Sequence, residues 1–152
     1  MLHSSASPDT ADRQRWMALL AKADPAVLEA HWQGLDERPL YTLLRPAETG
    51  LVMVRGRISG TGAPFNLGEM TMTRCAVRLD DGPVGFGHVA GRSRRHAELA
   101  ALFDAMLQDA RRQAGLAPLI DGLAQSRETA RRAAEAEIAA TKVDFFTMVR
   151  GE

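Results

Sequence analysis

The sequence runs to 152 residues, 45% of them hydrophobic, with nineteen basic side chains balanced by nineteen acidic ones. That is the size of one ordinary domain with one core; no apolar run approaches the roughly 18 residues of a membrane-spanning helix, and the opening MLHSSASPDTADRQR lacks the apolar stretch of a secretory signal. A cytoplasmic protein with no membrane partner is expected, and its single cysteine, Cys75, which has no CxxC or histidine neighbour, excludes an intramolecular disulfide and a zinc site and reads as buried filler.

In DTADRQRWMALLAKAD, Trp16, Met17, Leu19 and Leu20 fall on helical spacing, and Asp24-Pro25 then supplies an N-cap followed by proline at the first helical position. Two short helices are therefore expected within residues 1–38. From Tyr41 the texture turns to alternating and β-branched residues. YTLLR, then LVMVRGRI after the turn-like PAETG, then EMTMTRCAVRL, then VGFGHVA after DDGP, predict a four-stranded antiparallel meander. Gly91 and Arg92 end it, Ser93 is a cap, and Leu99, Leu102, Phe103, Met106 and Leu107 form an apolar helical stripe that Gly115 closes. After APLIDG, Ser126 caps an alanine-rich helix reaching about Lys142, and the chain ends in VDFFTMVRGE. The expected fold is α+β: N-terminal helices, a four-stranded antiparallel sheet packed on a helix, a C-terminal helix and an apolar tail. It forms a single domain with parts at 1–38, 40–115 and 116–152.

Strand alternation assigns Val52, Val54 and Ile58, beside Cys75, Val77 and Leu79, to a face packed on the helix after Ser93. The opposite face carries Leu51, Met53, Arg55 and Arg57 beside Met70, Met72, Arg74 and Arg78, a mixture of methionine and arginine that suits a protein interface. The plainer alternative is an open face with arginine stems lying over methionines. His88, sharing a strand face with Val84 and Phe86, reads as a hydrogen-bonded core histidine.

Residues 45–95 hold eight arginines against four acids, so the flanking segments carry the compensating negative charge. Those arginines are not interleaved with aromatic residues, which argues against nucleic acid as a partner. The glycines at Gly60 and Gly62 sit in a loop that lacks the third glycine of the dinucleotide fingerprint and any Gly-Lys-Ser/Thr, and strands flank it. It is a hairpin connection whose glycines permit positive φ, or else a docking feature. GRSRRHAE is the better candidate for an anion or nucleotide site. Arg94, Arg95 and His96 occupy a first helical turn, where positive charge opposes the helix dipole, and with Arg92 they describe a phosphate or carboxylate contact. Pairing with Glu98 and nearby acids is the alternative. His96 and Glu98 are two apart and cannot share a helix face, so no metal site is expected. Phe145, Phe146 and Met148 place apolar side chains in a terminal segment, where a partner would cover them.

The blocks ETGLVMVRGRISGTGAPFNLGEMTMTRCAVRL, GRSRRHAELAALFDA and TKVDFFTMVRG, with the opening RQRWMALLA, resemble the PhnG family, the G subunit of the bacterial carbon-phosphorus lyase core complex. The resemblance covers nearly the whole chain. It implies a cytosolic accessory subunit that works with H, I and L subunits and assembles with I, J and H. Their joint product is α-D-ribose 1-methylphosphonate 5-triphosphate, made from ATP and methylphosphonate with release of adenine. Nucleosidase-like chemistry is attributed to the I subunit. ATP is thereby a substrate of the complex, and no cofactor is expected in this chain. No catalytic residue of the family carries over. On this reading Gly60, Gly62, Arg55, Arg57, Arg74, Phe145, Phe146 and Met148 belong to partner interfaces. Arg92, Arg94, Arg95 and His96 are the candidates for a shared nucleotide or triphosphate contact, or for a free-standing phosphate-binding module.

Overall fold

Helix α1 (Thr10–Lys22) opens on Asp9, whose carboxylate accepts from the Ala11 N–H, and α2 (Pro25–Gln33) opens on Asp24, which accepts from Ala26 N–H ahead of Pro25. They lead into β1 (Tyr41–Arg57), β2 (Pro64–Leu79) and β3 (Val84–Ala90), followed by α3 (Arg94–Leu107) and α4 (Ala110–Ala140). This is a computed structural model, and it describes residues 9–80 and 82–141. The fold is α+β, and the sheet is antiparallel in the order β1-β2-β3.

The sheet has three strands among the described residues, not four. PAETG is not a turn: it lies inside β1, whose register against β2 slips between Leu43 and Arg45 and again between Arg45 and Glu48. Proline has no N–H to give a ladder, but β1 is an edge strand, and a bulge there absorbs Pro46 without ending the strand. The second departure concerns the C-terminal helix. Gly115 does not close a helix and Ser126 does not cap one; α3 stops at Leu107, Asp109 caps α4 by accepting from Arg111 N–H, and α4 then runs through Gly115 and Pro118. Leu116, Leu119, Ile120 and Leu123 stand at i, i+3, i+4 and i+7 and bury against the body, so the apolar stripe crosses the stretch expected to be a loop. That packing outweighs the lost Pro118 N–H and the glycine penalty.

The core lies between one face of β2 and β3 and the helices α1 to α3, with Phe103, Leu99, Leu102, Val77, Leu79 and Val89 fully buried. Two glycines set its depth. A Cβ on Gly85 would fall 1.9 Å from the Ala101 carbonyl oxygen, and one on Gly87 would fall 2.0 Å from that of Ala97. β3 and α3 therefore meet backbone to backbone, glycine against alanine. Burial of Thr73, Cys75, Val77 and Leu79 fixes which side of β2 faces α3.

A buried carboxylate ties three elements together. Asp104, inside the apolar stripe of α3, accepts from Arg13 Nε (3.2 Å) and Nη2 (2.8 Å), from Trp16 Nε1 (2.9 Å) and from the Phe86 backbone N–H (2.9 Å). Arg13 also reaches the Val84 carbonyl and stacks over the Phe86 ring. This locks α1 and α3 onto the free edge of β3. An acid set between Phe103 and Met106 was the sequence's signal for such a cluster.

Candidate functional site

The sheet does not end where its core ends. β3 pairs with β2 only from Arg78–Val84 to Met72–Ala90, whereas β1 and β2 continue to pair out to Arg57–Pro64. From Gly50 outward the hairpin is a two-stranded arm, and at about 3.4 Å per residue it projects roughly 25 Å. None of residues 51–70 is buried. Its tip is the glycine loop: Ser59 and Gly60 adopt positive φ (52° and 73°), and the Gly62 N–H donates to the Ile58 carbonyl at 3.1 Å. The loop is thus the hairpin connection, at the tip of the arm.

Register decides which residues share a face of the arm. Thr49 stands opposite Thr73, their hydroxyls 2.9 Å apart, and Thr73 is buried on the α3 side. Counting outward by twos, Leu51, Met53, Arg55 and Arg57 lie on that side, with Thr71 opposite Leu51 and Glu69 opposite Met53. The other side carries the pairs Val52–Met70, Val54–Gly68 and Gly56–Phe65, continuous with Gly50–Met72 and Glu48–Arg74. The expected partition is therefore corrected twice. Val52, Val54 and Ile58 are not core, because the arm runs past α3, and Met70, Met72 and Arg74 share a face with the valines rather than with Arg55 and Arg57. Arg74 lies at the base of the arm, its Nε donating to Glu48 Oε1 at 2.9 Å, and Arg45 reaches the same carboxylate at 3.2 Å.

His88 is opposite Arg74 on the open face of the sheet and exposed, not a core residue. It borders a shallow cavity of about 470 Å³ lined by Glu48, Gly50, Val52, Met72 and Arg74.

The GRSRRH segment sits at the root of the arm. Gly91, with φ of 89°, donates its N–H to Thr71 O (2.9 Å) and accepts from the Thr73 hydroxyl (2.7 Å), which delivers the start of α3 to the α3 side of the sheet. Ser93 Oγ caps the helix by accepting from His96 N–H. The four candidates then divide. Arg95 donates to Glu29 from Nε (2.7 Å) and Nη2 (3.1 Å) and pairs with Glu98 (3.2 Å), and the His96 ring is buried with Nε2 2.8 Å from the Leu20 carbonyl. Those two groups are engaged within the chain. Hydrogen bonding from Arg95, and then from Gln33, holds the Glu29 carboxyl down at about 2, while Glu29 raises Arg95 in turn. Burial, and then a 2.6 Å hydrogen bond to Glu98, raises the Tyr41 phenol. Arg92 and Arg94 are exposed and have no ion-pair partner among the described residues. Phe145, Phe146 and Met148 lie outside the described residues.

Among the described residues no group of histidine, cysteine and acidic side chains could hold a metal ion, and no helix is long and apolar enough to cross a membrane. Residues 131–140 of α4 are exposed throughout and, at 1.5 Å per residue, extend ~15 Å.

Comparison with known proteins bears on the whole chain. The family model described as "Phosphonate metabolism protein PhnG" matches residues 11–151. The chain is 47% identical over 142 residues, covering 93% of this chain and 91% of the relative, to the alpha-D-ribose 1-methylphosphonate 5-triphosphate synthase subunit PhnG of Rhizobium meliloti (strain 1021).

Proposed function

The chain belongs to the PhnG family of phosphonate metabolism proteins, and from that premise we propose that it is an accessory subunit of the synthase of α-D-ribose 1-methylphosphonate 5-triphosphate, acting in the cytoplasm in phosphonate catabolism. Its role is assembly. The partners in this reading are the I, J and H subunits of the carbon-phosphorus lyase system, with L joining transiently. ATP and methylphosphonate are substrates of the complex rather than of this chain alone. The observation that carries the reading is the arm: Leu51, Met53, Ile58 and Leu67 are 54–70% exposed on a two-stranded ribbon with no third strand or helix against it among the described residues. A two-stranded ribbon is marginal by itself in water and is expected to gain its order from what it docks on.

Replacing residues 51–70 by a short turn tests this directly. Because no residue of that span is buried, the body should keep its helical circular dichroism and its thermal midpoint. Co-purification with co-expressed partner subunits should be lost, and adenine release by the mixture with it. Recovery of the full complex at matched expression would overturn the reading. A second role, contributing to a shared nucleotide site, is favoured by one observation only, Arg92 and Arg94 exposed at the start of α3 with no ion-pair partner among the described residues.

A further inference from the structure

The two sides of the arm differ in charge. The side continuous with the open sheet face presents Val52, Val54, Met70 and Phe65 around Gly50, Gly56 and Gly68, and no formal charge. The α3 side presents Leu51 and Met53, then Arg55 and Arg57, and neither arginine has an ion-pair partner among the described residues. Glu69, opposite Met53, is the one carboxylate that the register places among them. The hydrogen bonds of Gly91 to Thr71 and Thr73 bring Arg92 and Arg94, likewise exposed and unpaired, to the root of this same side.

We infer that the α3 side of the arm, from Arg92 and Arg94 at its root to Arg55 and Arg57 near its tip, docks on an acidic protein surface, with partner aspartates and glutamates meeting the four guanidinium groups. The inference rests on the arm being an assembly element and adds the chemistry of what it meets. Arg55 with Arg57 near the tip and Arg92 with Arg94 at the root leave this side with positive charge that no ion pair among the described residues offsets, and an acidic partner neutralises it while steering the encounter. Arginine suits this use because its planar fork takes a carboxylate bidentately and is less strongly hydrated than lysine. A protein surface fits better than nucleic acid, since Leu51 and Met53 flank the arginines and this side of the arm offers no aromatic ring on which a base could stack.

The test uses the complex co-expressed with its partner subunits. Arg55→Glu with Arg57→Glu should weaken association at least tenfold at low salt. The wild-type association should itself weaken as sodium chloride rises, because exposed charge pairs are screened. Arg55→Gln with Arg57→Gln should flatten that salt dependence, and since both side chains are exposed and unpaired the circular dichroism and thermal midpoint of the free chain should not move. Unchanged affinity and an unchanged salt profile in the reversed variant, with arm deletion still abolishing assembly, would overturn the inference and leave the assembly reading standing. Harmless arm deletion would overturn both. If ATP binds the isolated chain, the charge reversals abolish that binding and partner association is unaffected, the surface is a phosphate site and the inference falls.

Discussion

Asp104→Asn removes one negative charge from the most connected polar group in the body while keeping its shape. In the native chain the carboxylate is fully buried and faces four donors: two N–H groups of Arg13, the Trp16 indole and the Phe86 backbone N–H. Asparagine offers one acceptor oxygen. If that oxygen keeps the Oδ1 position it serves Trp16 and Arg13 Nε, and the amide NH₂ then points its hydrogens at Arg13 Nη2 and Phe86 N–H, donor against donor. The Arg13 guanidinium, only 30% exposed, loses its counter-charge. Breaking a buried pair by removing one partner costs about 3–5 kcal/mol. For a chain of this length that corresponds to a fall of about 6–20 °C in thermal midpoint, at roughly 2–4 °C per kcal/mol. Urea denaturation followed by circular dichroism measures it, with Arg13→Met and the double variant completing a cycle. The double variant should cost less than the sum of the singles by about 0.5–3 kcal/mol, because each single strands the other group. A loss under about 1 kcal/mol for Asp104→Asn, or strict additivity, would refute the account of this cluster as a coupled anchor.

Gly87→Ala should destabilise the chain by at least the 1–3 kcal/mol typical of overpacking, because the new Cβ would lie 2.0 Å from a helix carbonyl, whereas Gly50→Ala, with nothing within 4 Å of its Cβ, should be nearly neutral; paired urea midpoints decide. Glu29, held at about 2 against 4.5 unperturbed, contributes stability that is fully present above about pH 4.5 and is lost as pH falls towards 2. Urea midpoints across that window should fall less steeply in Glu29→Gln than in the wild type. Burial pushes the Cys75 thiol up to about 11, so iodoacetamide at pH 8 should leave it unmodified in the native chain and label it only after denaturation, as read by intact mass.

Local chemistry fixed much of this protein before any tertiary contact was known. Asp24-Pro25 and Ser93 cap the helices at the positions their side chains dictate, the 99–107 stripe is the buried helix, and Cys75 is buried, because caps and periodicity act within a turn or two of chain. The long ordered blocks also carried the family. What needed the fold was everything set by register and by where the core stops. PAETG looks like a turn until β2 is found pairing on both sides of it, and APLIDG looks like a loop until Leu116, Leu119, Ile120 and Leu123 find the body to bury against. Val52 and Val54 have the alternation of core residues, yet among the described residues no helix lies over them. The fate of GRSRRH was equally non-local. Arg95 meets Glu29 and His96 meets Leu20, 66 and 76 residues away in sequence, while Arg92 and Arg94 meet nothing among the described residues. A side chain's identity limits the bonds it can make, and only the three-dimensional arrangement decides which partner is within reach.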